Sequence, residues 1–65
     1  MKIFVNGKLC DLSATSLDLA LIELGFKSPA IATAINGSFV AAANRSDTTM
    51  LENDQLEVLA PMQGG

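Results

Sequence analysis

The stretch Lys2-Ile3-Phe4-Val5-Asn6-Gly7-Lys8-Leu9-Cys10-Asp11-Leu12 sets two runs of strand-forming residues on either side of Asn6-Gly7. A type I′ turn requires positive φ at both central residues, which Asn and Gly tolerate, so the stretch predicts a hairpin with a two-residue loop. That loop sets the register: Val5 opposite Lys8, Phe4 opposite Leu9, Ile3 opposite Cys10 and Lys2 opposite Asp11. Paired residues share a face. Ile3, Val5 and Cys10 are assigned to the core, with Lys8 at the rim. Phe4 and Leu9 then face outward, together with a Lys2–Asp11 charge pair.

Downstream, Ser13-Ala14-Thr15-Ser16 breaks the strand pattern and offers N-cap hydroxyls. Leu17, Ala20, Leu21 and Leu24 recur at helical spacing, and Gly25 stands where a helix ends in the left-handed conformation. Asp18 complements the helix dipole in the first turn. So short a helix is marginal alone and needs a sheet to cover. After a connection through Phe26-Lys27-Ser28-Pro29, Ala30 to Asn36 reads as a strand, and Asn36-Gly37 marks a second hairpin returning through Ser38-Phe39-Val40. Here Ile35 pairs with Ser38, Ala34 with Phe39 and Thr33 with Val40. Ile31, Thr33, Ile35 and Val40 face the helix, and Ala32, Ala34 and Phe39 face away.

Ala41 to Met50 shows no period and is expected to be loop with a short turn. Leu51 is expected to plug the core before a Glu52-Asn53-Asp54 turn. Gln55 to Ala60 is the last strand, with Leu56 and Val58 inward and Glu57 and Leu59 outward. The order is β-β-α-β-β-β, an α+β domain.

At 65 residues the chain is one domain near the lower limit for folding without staples. Seven acidic residues against four basic ones give a net charge of −3, which argues against nucleic acid as a partner. The absence of histidine removes the commonest general base and metal ligand, and the acidic residues form no paired-carboxylate site. With a single cysteine no internal disulfide forms, and no run is long enough for a signal h-region or a membrane span. A cytoplasmic setting is expected. Cys10 admits a redox reading, but an inward strand site without a nearby histidine favours a small apolar core residue.

Apolar residues make up 49% of the chain, more than so small a domain buries. Phe4, Leu9, Ala34, Phe39 and Leu59 are the outward set, and they are expected to form a partner docking face. The chain ends Ala60-Pro61-Met62-Gln63-Gly64-Gly65. Pro61 ends a strand, and a Gly-Gly has no Cβ to block a narrow channel. Residues 1–60 are therefore read as the globular domain and 61–65 as a flexible arm. A frayed terminus is the plainer alternative.

On these residues the chain resembles the ubiquitin-like sulfur carriers, the family that includes ThiS and the small subunit of molybdopterin synthase. The resemblance rests on Met1-Lys2-Ile3-Phe4-Val5-Asn6-Gly7, the Ser16-Leu17 helix entry, Ala34-Ile35-Asn36-Gly37 with Val40, Leu51 through Val58, and the Pro61–Gly65 tail. Members often carry Val-Pro-Arg where this chain has Val40-Ala41-Ala42, and Gly-Asp where it has Asn53-Asp54. The resemblance implies a β-grasp fold, with first and last strands parallel in the centre of a mixed sheet of four to five strands and one helix across one face.

It also implies a carrier acted on by enzymes, with no bound cofactor. A ThiF-like adenylating enzyme would use ATP on the Gly65 carboxylate, and a cysteine desulfurase relay would supply sulfur. Thiazole synthase (ThiG) would accept the sulfur from the resulting thiocarboxylate. Pro61, Met62, Gln63 and Gly64 would thread the partner's channel. A ubiquitin-like modifier, a carrier for molybdopterin or cysteine synthesis, and a purely structural domain are the alternatives the tail leaves open.

Overall fold

The computed structural model describes residues 1–28 and 30–60 of the chain. Strands β1 (Lys2–Val5) and β2 (Lys8–Asp11) are followed by helix α1 (Leu17–Leu24), then β3 (Ala32–Ile35) and β4 (Ser38–Val40). A 3₁₀ helix over Ala42–Asp47 precedes β5 (Gln55–Leu59). The strands form one mixed sheet in the order β2-β1-β5-β3-β4. β1 and β5 are parallel, whereas β1–β2, β3–β4 and β3–β5 are antiparallel. This is the expected β-grasp arrangement.

Both hairpins take the predicted register: Lys2 to Val5 pairs with Asp11 to Lys8, and Thr33 to Ile35 with Val40 to Ser38. The turn residues explain it, since Asn6 and Gly7 sit at φ 50° and 85° and Asn36 and Gly37 at 51° and 84°. Asn53 also takes positive φ, at 69°, as its side chain allows. Gly25 adopts the left-handed conformation after α1, and the Phe26 N–H returns to the Leu21 carbonyl at 2.9 Å.

One face of the sheet packs against α1. Ile3 and Val5 of β1, Leu56 and Val58 of β5, and Leu17, Ala20 and Leu21 of α1 are buried with Leu12, Ile31 and Met50. Cys10, Ile35, Val40 and Leu24 are partly buried against this core. Cys10 thus lies at the margin of the core face.

Three local expectations are corrected. Leu51 is 64% exposed, and the core plug is Met50, at 2%. The Met50 N–H donates to the Thr15 carbonyl at 2.7 Å, which brings residue 50 under the helix entry and turns residue 51 outward. The Lys2–Asp11 register holds, but Asp11 takes its cation from the Met1 amine, with Oδ1 at 3.4 Å. That amine is anchored by a bond to the Leu12 carbonyl at 3.0 Å, so it needs no long side chain to be ordered. Ser16 is the N-cap of α1, yet its hydroxyl donates to Asp18 Oδ1 at 2.6 Å and caps no backbone N–H. The Leu17 N–H is satisfied by the Thr48 carbonyl at 2.9 Å.

Candidate functional site

β5 is the central strand, and the sequence beyond it is Ala60 followed by Pro61 to Gly65. Those last residues, assigned above as the channel-threading arm and the reacting Gly65, lie outside the described residues. What the structure supplies is their root and the surface around it.

The root is gripped from both sides. On one side Leu59 pairs with Ala32 and Val58 with Thr33. On the other, the Phe4 N–H donates to the Asp54 carbonyl and the Asn6 N–H to the Leu56 carbonyl, both at 2.9 Å. β1 ends at Val5, and the Asn6 side chain takes over from it. Its Oδ1 accepts the Val58 N–H at 2.9 Å, and its Nδ2 donates to the Val58 carbonyl at 3.2 Å. Asn36 acts at the start of the strand through one backbone and one side-chain bond: Oδ1 accepts the Gln55 N–H at 2.9 Å and Nδ2 donates to the Asp54 carboxylate Oδ1 at 3.0 Å. The two asparagines read as turn formers thus also hold opposite ends of β5. Nothing in hairpin patterning signals this second role, because it depends on where β5 is laid: Val58 stands 52 residues after Asn6, and Gln55 19 after Asn36.

The sheet face away from α1 carries the expected outward set. Phe4 and Leu9 are cross-strand partners, as are Ala34 and Phe39, and Leu59 lies opposite Ala32. Phe39 is 71% exposed, Leu59 69% and Leu9 51%, while Phe4 and Ala34 are half-buried. The set divides in two. Ala32, Ala34, Phe39 and Leu59 line a shallow cleft of about 110 Å³ with Thr33 and Glu57. Phe4 and Leu9 lie on the other side of β5, whose outward residues before Leu59 are Gln55, beside Phe4, and Glu57, beside Ala34. A partner reading the whole face therefore meets two apolar areas with a polar strip between them.

Cys10 donates its thiol to the Lys8 carbonyl at 3.6 Å, and the sequence holds no histidine to pair with it. Among the described residues no group of three or more Cys, Asp or Glu side chains is placed to hold a metal. No helix there is long and apolar enough to cross a membrane.

Comparison with known proteins decides the family. The model of the ThiS family matches residues 3–65, nearly the whole chain. The chain belongs to the ThiS family. A solved structure of the thiamine biosynthesis protein ThiS from Geobacter metallireducens is similar to it throughout, with 25% identity, a TM-score of 0.84 and complete coverage of both chains. No curated protein matches the chain in sequence. The ThiS family match extends through Gly64 and Gly65, so it takes in the segment that β5 delivers.

Proposed function

We propose that this protein is a sulfur carrier of thiamine biosynthesis, a protein substrate that enzymes load and unload at Gly65. Membership of the ThiS family over residues 3–65 carries the reading. The likeness to a protein described as thiamine biosynthesis ThiS supports the pathway. The grip on β5 supports the mechanism, since a carrier needs a fixed root for the arm it offers.

The chemistry assigned to Gly65 follows from its carboxylate, a poor electrophile. A ThiF-like adenylating enzyme transfers AMP from ATP to that carboxylate and releases pyrophosphate. The terminal sulfur of a persulfide, raised by a cysteine desulfurase relay, attacks the acyl carbon and AMP leaves. Cleavage of the resulting acyl disulfide by a second thiol leaves the thiocarboxylate, a soft nucleophile that thiazole synthase (ThiG) consumes. Pro61, Met62, Gln63 and Gly64 thread the channel of each enzyme, where the missing Cβ atoms of Gly64 and Gly65 matter most. ATP is a substrate of the partner, and the carrier itself binds no cofactor. Docking falls to the outer sheet face, with Phe39, Leu59 and Ala34 as one anchor and Phe4 with Leu9 as the other. The carrier and its partners are read as cytoplasmic, in keeping with a single cysteine.

Intact mass spectrometry of the protein taken from cells tests the reading. A thiocarboxylate adds the oxygen-to-sulfur difference, about 16 Da, and thiol alkylation shifts that species once more beyond the single Cys10 adduct. Protein that never gains this mass, even with the adenylating enzyme and sulfur relay co-produced, overturns the reading. A covalent ladder with other proteins in its place assigns a modifier instead.

A further inference from the structure

β5 outruns the strand beside it. The last β1 residue paired with it is Val5, opposite Leu56, yet β5 continues to Leu59 along β3. The edge of Val58 that faces the vacated side carries one N–H and one carbonyl, and the Asn6 amide bonds both. It stands in for the next peptide group that β1 lacks. The turn itself asks only for positive φ, which glycine supplies without steric strain. The pair of bonds to Val58 asks for the amide. These are separate demands on one residue, and they are separable by substitution.

We infer that Asn6 is a positioning residue for the carrier arm: its amide holds the end of β5 so that the chain leaves the sheet from a fixed point at Leu59 and Ala60. The inference rests on the sulfur-carrier reading. Gly65 follows Ala60 by five residues, which reach at most about 18 Å when extended. Freedom at the root multiplies the volume the carboxylate explores, and that freedom must be removed each time the arm enters a partner's channel. Asn36 provides an internal control. Its amide also makes two bonds, to the Gln55 N–H at 2.9 Å and to the Asp54 carboxylate at 3.0 Å, at the end of β5 remote from the arm.

The test compares Asn6→Gly with Asn36→Gly; both keep a turn-competent residue and remove the side-chain amide, with the same added backbone freedom in each. Pyrophosphate release by the ThiF-like adenylating enzyme is followed against carrier concentration, and amide-proton exchange at Val58 is measured by NMR. In Asn6→Gly, Val58 exchange is expected to accelerate at least tenfold. The half-saturating carrier concentration is expected to rise about 3- to 10-fold, with the maximal rate retained, because ordering is lost from binding and not from chemistry. Asn36→Gly is expected to stay within about twofold of wild type, although it loses the same number of bonds. An unchanged Val58 exchange rate, an unchanged half-saturation, or an equal rise in both variants overturns the inference while leaving the carrier reading intact. Wild-type protein that supports no pyrophosphate release overturns the carrier reading, and the inference with it.

Discussion

The Thr33 hydroxyl donates to the Val40 carbonyl at 2.9 Å and accepts from Arg45 Nε at 3.2 Å, so its side chain is satisfied on both counts. Thr33 is the one buried polar residue among those described, at 1% exposure. Arg45 also donates through Nη2 to the Ile31 carbonyl at 2.8 Å, which fastens the 3₁₀ helix to β3. Removing one partner from such a group strands the others. Arg45→Ala is expected to lower unfolding free energy by about 1–3 kcal/mol, and Thr33→Val by about 1–2 kcal/mol, in urea denaturation. Arg45→Lys should not restore the loss, because an ammonium cannot reproduce the planar two-point contact.

Met50 and Leu51 are adjacent and apolar, yet only the first is buried. Met50→Ala removes core contacts and is expected to cost about 2–5 kcal/mol, comparable with the whole stability of a domain this size. Leu51→Ala should stay within about 0.5 kcal/mol of wild type. Equal losses in the two variants, by thermal or chemical denaturation, would contradict the burial of Met50 alone.

The outer face makes its own prediction. Phe39→Asp and Leu59→Asp place a charge on exposed positions and should leave the unfolding midpoint nearly unchanged. Each is expected to weaken binding to the adenylating enzyme and to thiazole synthase by at least about tenfold, measured by calorimetry. Phe4→Asp is less clean, since Phe4 is half-buried in a central strand and part of its effect would be on the fold. Unaltered affinity in both exposed variants would sink the docking face.

Cys10 gives a prediction of indifference. Its thiol lies at the core margin and bonds the Lys8 backbone carbonyl. Cys10→Ala should accumulate the Gly65 thiocarboxylate as wild type does, by intact mass. A folded Cys10→Ala protein that fails to load would make Cys10 part of the sulfur relay.

Local chemistry made much of this fold readable. Asn6-Gly7 and Asn36-Gly37 dictate turn type, turn type dictates register, and register assigns each strand residue to a face; every pair named from those two dipeptides is present. Leu17, Ala20 and Leu21 announce the buried side of α1 in the same way. Long-range placement was not legible from pattern. Nothing local tells Gln55–Leu59 to lie between β1 and β3; resemblance supplied that. With the strand position unknown, the Asn6 bonds to Val58 had no signal either. Residues 41–51 lack a period, so choosing Leu51 over Met50 as the plug had no physical lever. The Met50 N–H bond to Thr15, which settles it, joins segments far apart in the chain. The Met1 amine takes the place of Lys2 at Asp11 because the Leu12 carbonyl holds it there, and a backbone amine leaves no mark in a side-chain pattern.

The parallel seam between β1 and β5 joins Phe4 to Gln55. Those strands come from opposite ends of the chain, and the core they share includes Leu56 and Val58. A nascent chain has no means of closing this sheet until β5 has emerged, so the β1–β5 seam is a late, long-range contact. A chain cut short before Leu56 lacks Leu56 and Val58 of the core and, with them, the central strand of the sheet. The seam therefore makes the outer face conditional on β5: without that strand, the two apolar areas on either side of it have nothing to hold them in one sheet.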